Sequence, residues 1–159
     1  MSAAALVRAT TDAGLMIATA ESCTGGGVAA AITEIAGASA VFDRGFVTYT
    51  NTAKQEMLGV SARTLQAHGA VSEEVAREMA QGALTRSNAG IAVSVTGIAG
   101  PGGSEHKPEG RVCFAWGTRG SINCETVEFG AIGRANVRAA ACDHALTRLM
   151  DCVRAYDLP

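Results

Sequence analysis

Apolar and polar positions change period several times along the chain, and the changes outline its elements. Ala3 to Ala13 has helical spacing, with Gly14 placed to stop it. Leu15 to Ala20 is a short apolar run, read as a buried strand. A second helix is expected over Gly25 to Ala36, stopped by Gly37. Val41 to Thr50 carries Phe46-Val47-Thr48-Tyr49, a second strand. Asn51 offers an N-cap for a short helix through Leu58, and Gly59 ends it. Ser61 caps a further short helix to Ala67, before Gly69. From Ser72 to Ser87 the pattern is amphipathic, with Val75, Met79, Ala83 and Leu84 on one face. Glu73 and Glu74 in its first turn and Arg86 in its last suit the helix dipole. Ile91 to Thr96 is a continuous β-rich run, a central strand, and Gly97 to Gly110 is a glycine- and proline-rich loop. Arg111 to Thr118 and Ile122 to Phe129 form a hairpin about Arg119-Gly120. From Gly133 to about Tyr156 the pattern is helical, with Val137, Ala141, Leu149 and Val153 along one side.

Strands alternating with helices, then a late hairpin, predict an α/β fold. The expected architecture is a three-layer α/β/α sandwich around a mixed sheet of about five strands. The length of 159 residues fits one domain spanning 1–159.

Composition narrows the class. The apolar fraction is 48% and the charged fraction 18%, ordinary for a globular protein in water. The net charge of −2, without a basic run, argues against nucleic acid as the main partner. No stretch reaches the length of a membrane span, and the N-terminal segment lacks the pattern of a signal peptide. The five cysteines form no C-x-x-C pair, and the three histidines lack metal-ligand spacing. We therefore expect reduced thiols, no metal, no cofactor and a cytoplasmic location. Small, alanine-rich α/β domains with an open sheet edge often pair, so a homo-oligomer is expected.

Chemistry is concentrated where strands feed loops. Glu21-Ser22-Cys23-Thr24-Gly25-Gly26-Gly27 lies between the first strand and the second helix, a turn that aims backbone N–H groups and a helix N-terminus at one spot. Ser22 there is either a helix cap or a nucleophile. G-x-S-x-G is absent, which excludes the elbow of an α/β-hydrolase. Lys54 follows the second strand, near a helix N-terminus; the dipole there, and burial, would lower its pKa. A neutral lysine can take the proton of Ser22, and Tyr49 can relay or orient that proton. Cys23 is a rival nucleophile, since a thiol needs less activation. The third loop, Thr96-Gly97-Ile98-Ala99-Gly100-Pro101-Gly102-Gly103, is too rich in glycine to be a packing element. It offers close backbone approach to a ligand, yet it lacks the P-loop pattern. If the first three strands are parallel neighbours, all three loops open on one edge.

Several motifs together resemble the CinA C-terminal domain family. They are Ala20-Glu21-Ser22-Cys23-Thr24-Gly25-Gly26, Tyr49-x-Asn51-x-x-Lys54 with Leu58-Gly59-Val60, Gly69-Ala70-Val71-Ser72, the third loop, and Lys107-Pro108-x-Gly110. Arg134 and Arg138 match an arginine-bearing segment before the family's last helix. Thr52 and Gly133 depart from the family, which often has acidic residues at those places. The resemblance implies a nicotinamide-nucleotide amidase of the stand-alone form, hydrolysing nicotinamide mononucleotide to nicotinate mononucleotide and ammonia. It puts the serine nucleophile on Ser22, the lysine on Lys54, the tyrosine on Tyr49 and the loop threonine on Thr96. It further implies substrate contacts by Cys23, Thr24, Gly25, Gly26, Gly97, Gly100, Gly102 and Gly103. The 5′-phosphate is expected on the third loop, with Arg44, Lys107 or Arg134 beside it. A non-catalytic nucleotide-binding module using the same loops is the alternative.

Overall fold

The structure, a computed structural model, describes residues 2–104 and 106–156. In chain order the elements are α1 (Ala3–Asp12), β1 (Ile17–Glu21), α2 (Gly27–Thr33), a 3₁₀ turn (Ala38–Ala40), β2 (Phe42–Val47), α3 (Asn51–Leu58), α4 (Ala62–His68), α5 (Glu73–Thr85), β3 (Ile91–Gly97), β4 (Arg111–Thr118), β5 (Ser121–Glu128) and α6 (Arg134–Tyr156). The sheet order is β2-β1-β3-β4-β5. β2, β1 and β3 are parallel, while β4 and β5 return antiparallel. The fold is therefore the expected α/β sandwich with a mixed sheet.

Alternation along the strands builds the layers. Ile17 on β1 and Ile91, Val93 and Val95 on β3 pack with α1, α2 and α6. Ala18, Ala20 and Ala92, one residue out of phase, pack with α3, α4 and α5. Val75, Met79, Ala83 and Leu84 of α5 are all fully buried, as are Val137, Ala141 and Leu149 of α6.

The boundaries of four elements move in ways that matter. β1 runs on through Glu21, and β2 stops at Val47, so Tyr49 lies beyond the strand rather than at its end. α2 begins at Gly27 and ends at Thr33, shorter at both ends than its alanine-rich pattern suggests. Gly26 and Gly37 both have positive φ, which turns the chain into and out of that region. The cap of α3 is Thr50, whose hydroxyl accepts from the Ala53 amide, and not Asn51.

One glycine sets the position of α3. A Cβ at Gly82, inside α5, would collide with the carbonyl of Leu58. Glycine inside a helix costs about 1 kcal/mol relative to alanine. Here it lets α3 lie close against α5 and so brings Lys54 toward the end of β1.

Candidate active site

Parallel pairing of β1 with β2 and β3 brings their carboxyl ends to one edge, with Glu21 opposite both Val47 and Val95. The three loops therefore do converge. Ser22 follows β1 directly, and its amide donates to the Val95 carbonyl at 2.9 Å. The strand alternation that points Glu21 toward α2 turns Ser22 the other way, toward α3.

Lys54 meets it there. The Lys54 Nζ is 3.0 Å from Ser22 Oγ, 2.9 Å from the Thr48 carbonyl and 3.4 Å from the Tyr49 carbonyl. The side chain is 1% exposed and is among the largest fully buried side chains described. None of the ion pairs among the described residues includes it. Burial pushes its pKa below the usual lysine value of 10.5. A neutral amine fits the geometry: two N–H groups for two carbonyls, and a lone pair for the Ser22 hydroxyl.

The turn after Ser22 is built differently from the expectation. The Glu21 carboxylate accepts from Thr24 Oγ1 at 2.6 Å and from the Val28 and Ala29 amides at 2.9 and 3.0 Å. The N-terminus of α2 is thus filled by a side chain of the protein itself and is not open to an oxyanion. Gly25 donates to the Ser22 carbonyl and Gly27 to that of Thr24. The amides of Cys23 and Thr24 are outside this set. From the other side, Arg138 of α6 donates to the carbonyls of Cys23 (3.1 Å) and Thr24 (3.3 Å). Thr24, Gly25 and Gly26, expected to touch substrate, shape this turn but do not line the cavity.

That cavity, of about 310 Å³, opens beside Ser22 and Lys54. This lies at the lower end for small-molecule sites. Its walls include Cys23, Asn51, Thr96, Gly97, Gly100, Gly102, Gly103 and Arg134, together with apolar Ala70, Val71, Ile98, Ala99 and Pro101. Thr96 is buried and its hydroxyl donates to the Ala70 carbonyl at 2.8 Å, tying two walls together. Gly102 does not offer its amide to a ligand; it donates to Glu109 Oε1 at 2.8 Å. Gly100 has φ +93 and no room for a Cβ beside Glu109, so the loop folds over that carboxylate.

Of the three cations proposed near phosphate, one lies in the cavity. Arg134 is held there by the Gly100 carbonyl (2.6 Å) and by the Tyr49 hydroxyl (2.8 Å). Arg44 instead pairs with Asp43 and donates to the Arg86 carbonyl, outside the cavity lining. Lys107 is bonded to the carbonyls of His68 (2.7 Å) and Val71 (2.6 Å), behind the wall. The Tyr49 hydroxyl accepts from Arg134, and no bond from it to Ser22 or Lys54 is formed in this structure. Tyr49 touches Lys54 only through its main-chain carbonyl. Glu21, Asn51 and Arg138 fall within the motifs quoted above but are given no site role by the sequence, and Glu109 is not singled out at all. A glutamate directly after an apolar strand was the one visible signal, since such a carboxylate must find donors when buried.

Cys23 is buried, and burial pushes its thiol up to about 12, so the thiolate is scarce near neutral pH. All five cysteines are free. No His, Cys, Asp and Glu cluster suited to a metal occurs among the described residues. No described helix is long and apolar enough to cross a membrane.

The chain is similar to known proteins along most of its length. The nicotinamide-nucleotide amidohydrolase PncC of Escherichia coli K12 is 54% identical over 137 residues, 86% of this chain and 83% of that protein. The crystal structure of the competence/damage-inducible protein CihA from Agrobacterium tumefaciens superposes with a TM-score of 0.91 at 53% identity, covering 94% of this chain and 92% of that one. A CinA-superfamily protein from Klebsiella pneumoniae gives a TM-score of 0.92 at 40% identity, covering 96% of each chain. Residues 1–153 match the CinA C-terminal domain, and the chain belongs to that family.

Proposed function

We propose that the chain is a nicotinamide-nucleotide amidohydrolase, converting nicotinamide mononucleotide to nicotinate mononucleotide and ammonia through a Ser22–Lys54 pair. The identity to PncC supports the reaction class. The observation that carries the mechanism is the 3.0 Å contact between a buried lysine, free of ion pairs among the described residues, and the serine at the strand end.

Lys54 takes the Ser22 proton as Oγ attacks the carboxamide carbon. The tetrahedral oxyanion is stabilised by the amide of Cys23, the residue of this turn after Ser22 that lines the cavity, a well-placed donor contributing about 3 kcal/mol. The C–N bond breaks, and the Lys54 ammonium returns its proton to the leaving ammonia. Water then attacks the acyl ester, giving its proton to Lys54, and Ser22 recovers that proton as the nicotinate leaves. The pyridinium charge of the substrate makes the carbonyl a better electrophile. The ring fits the apolar wall of Ala70, Val71, Ile98 and Ala99, and Arg134 is the cavity cation suited to the 5′-phosphate.

Ammonia release from nicotinamide mononucleotide tests the reading, with nicotinamide and its riboside as controls for the phosphate. Ser22→Ala should abolish release with the fold intact. Full activity in that variant would refute the nucleophile. Binding without turnover in the wild type would establish the non-catalytic module instead. That alternative requires a lysine with an ordinary pKa, which the burial of Lys54 opposes.

A further inference from the structure

We infer that Glu21 is a positioning residue for the reacting pair, fixing both Ser22 and the carbonyl that orients Lys54. The inference rests on the hydrolase reading above. Glu21 is the residue immediately before Ser22 and is 1% exposed. No ion pair among the described residues includes it. Its carboxylate is kept buried by three donors: the Thr24 hydroxyl and the first free amides of α2.

Helix capping alone does not account for this choice. α1, α3, α4 and α5 are capped by the hydroxyl of the residue before them, Ser2, Thr50, Ser61 and Ser72. Such hydroxyls avoid the desolvation of a buried carboxylate. At α2 the capping position is Gly26, with no side-chain bond, and the acceptor reaches in from β1. A carboxylate can span the turn and hold both of its ends. The bonds to Thr24, Val28 and Ala29 close a loop whose first residue is Ser22, and Arg138 grips the same turn from outside.

The main chain of Glu21 acts on the other partner. Its carbonyl accepts from the Thr48 amide at 2.8 Å. The Thr48 carbonyl in turn accepts from Lys54 Nζ at 2.9 Å. One residue therefore stands between the nucleophile and the carbonyl that aims its base. Loosening the Glu21 side chain should shift Ser22 relative to Lys54 while leaving the walls formed by Ala70, Val71 and the third loop in place. The effect belongs in kcat rather than KM.

The test compares the wild type with Glu21→Gln, Glu21→Ala, Thr24→Val and Thr24→Ser. Three quantities are read: kcat and KM for ammonia release, the rate at which a small sulfonyl fluoride modifies Ser22, followed by mass spectrometry, and Tm. In Glu21→Gln, one acceptor oxygen becomes an NH₂ facing an amide donor. We expect kcat and the labelling rate to fall together by about tenfold in Glu21→Gln and up to about 100-fold in Glu21→Ala, well below each Tm, with KM little changed. Thr24→Val should lose activity and Thr24→Ser should recover most of it. Unchanged kcat and labelling in a folded Glu21→Gln protein, or a loss confined to KM, would overturn the inference. Should neither Glu21 variant fold, the Thr24 pair decides. If the wild type labels at Ser22 yet releases no ammonia, the substrate assignment fails and the labelling rates alone decide this inference. No labelling of Ser22 in the wild type overturns it.

Discussion

The two ends of the sheet treat charge in opposite ways. At the carboxyl ends of β1, β2 and β3, Lys54 and Glu21 are fully buried and held by carbonyls, amides and hydroxyls. Where β5 meets α6, Glu125 and Arg148 hold each other through two bonds of 2.7 and 2.6 Å. Asp151 and His144 join that group, and the Arg148 guanidinium lies 4.5 Å from the centre of the Trp116 ring. Burial raises the pKa of Glu125, but the bonds from Arg148 and His144 outweigh it and the net direction is down. Each charge there stabilises the ionised form of the other. Among the described residues Lys54 has neutral hydrogen-bond partners only, and burial drives it toward the uncharged amine. Opposite charge locks protonation; neutral dipoles leave it free to change, which is what a general base requires.

The strongest way to break this contrast is to remove the amine. Lys54→Met should lower kcat/KM by about 10³-fold, because no second base among the described residues is bonded to Ser22. Near-normal turnover in a folded Lys54→Met protein would end the argument.

The pH dependence sharpens it. Activity should rise as Lys54 loses its proton, at a pKa below the usual 10.5. Stability should move the same way. Between the folded pKa and the unfolded one, the unfolded chain holds a proton that the folded chain does not, so stability rises with pH. Its contribution is complete above the unfolded value and is lost as pH falls through the folded one. Urea unfolding across the alkaline range should give a difference in stability, wild type minus Lys54→Met, that rises with pH, since the buried thiols oppose it equally in both proteins.

At the opposite end the expected effect is smaller. Glu125→Gln should cost about 1–2 kcal/mol at neutral pH, since a bidentate, partly buried pair is worth more than an exposed one. Its folded pKa is depressed, so its stabilisation is present above the unfolded value of 4.5 and lost as pH falls through the folded pKa. Ammonia release should be retained in this variant. Least affected should be Arg44→Ala, which breaks an exposed pair with Asp43. A loss of about 0.5 kcal/mol or less is expected, with KM for the nucleotide unchanged. A raised KM there would return Arg44 to the phosphate site.

The sequence by itself determined the order and kind of the elements, because each buries one periodic face. The continuous β-rich run of Ile91 to Thr96 and the helical spacing of Val75, Met79 and Ala83 required layers on both sides of a sheet. The Ser22 and Lys54 segments were legible as chemistry because both lie where strand ends meet helix starts. Other assignments depended on contacts between residues far apart in the chain. That Tyr49 serves Arg134 rather than Ser22 follows from where β2 ends and where α6 begins, 85 residues on. That Arg44 and Lys107 are bound elsewhere, while Arg134 lines the cavity, was equally invisible along the chain. The filling of the α2 N-terminus by Glu21 depended on one residue of strand length: β1 had to run on through Glu21, which placed its carboxylate under the helix and Ser22 on the opposite face. Periodicity records which face a residue shares with its neighbours. It does not record which distant carbonyl or hydroxyl will lie within 3 Å, and tertiary packing alone decided that.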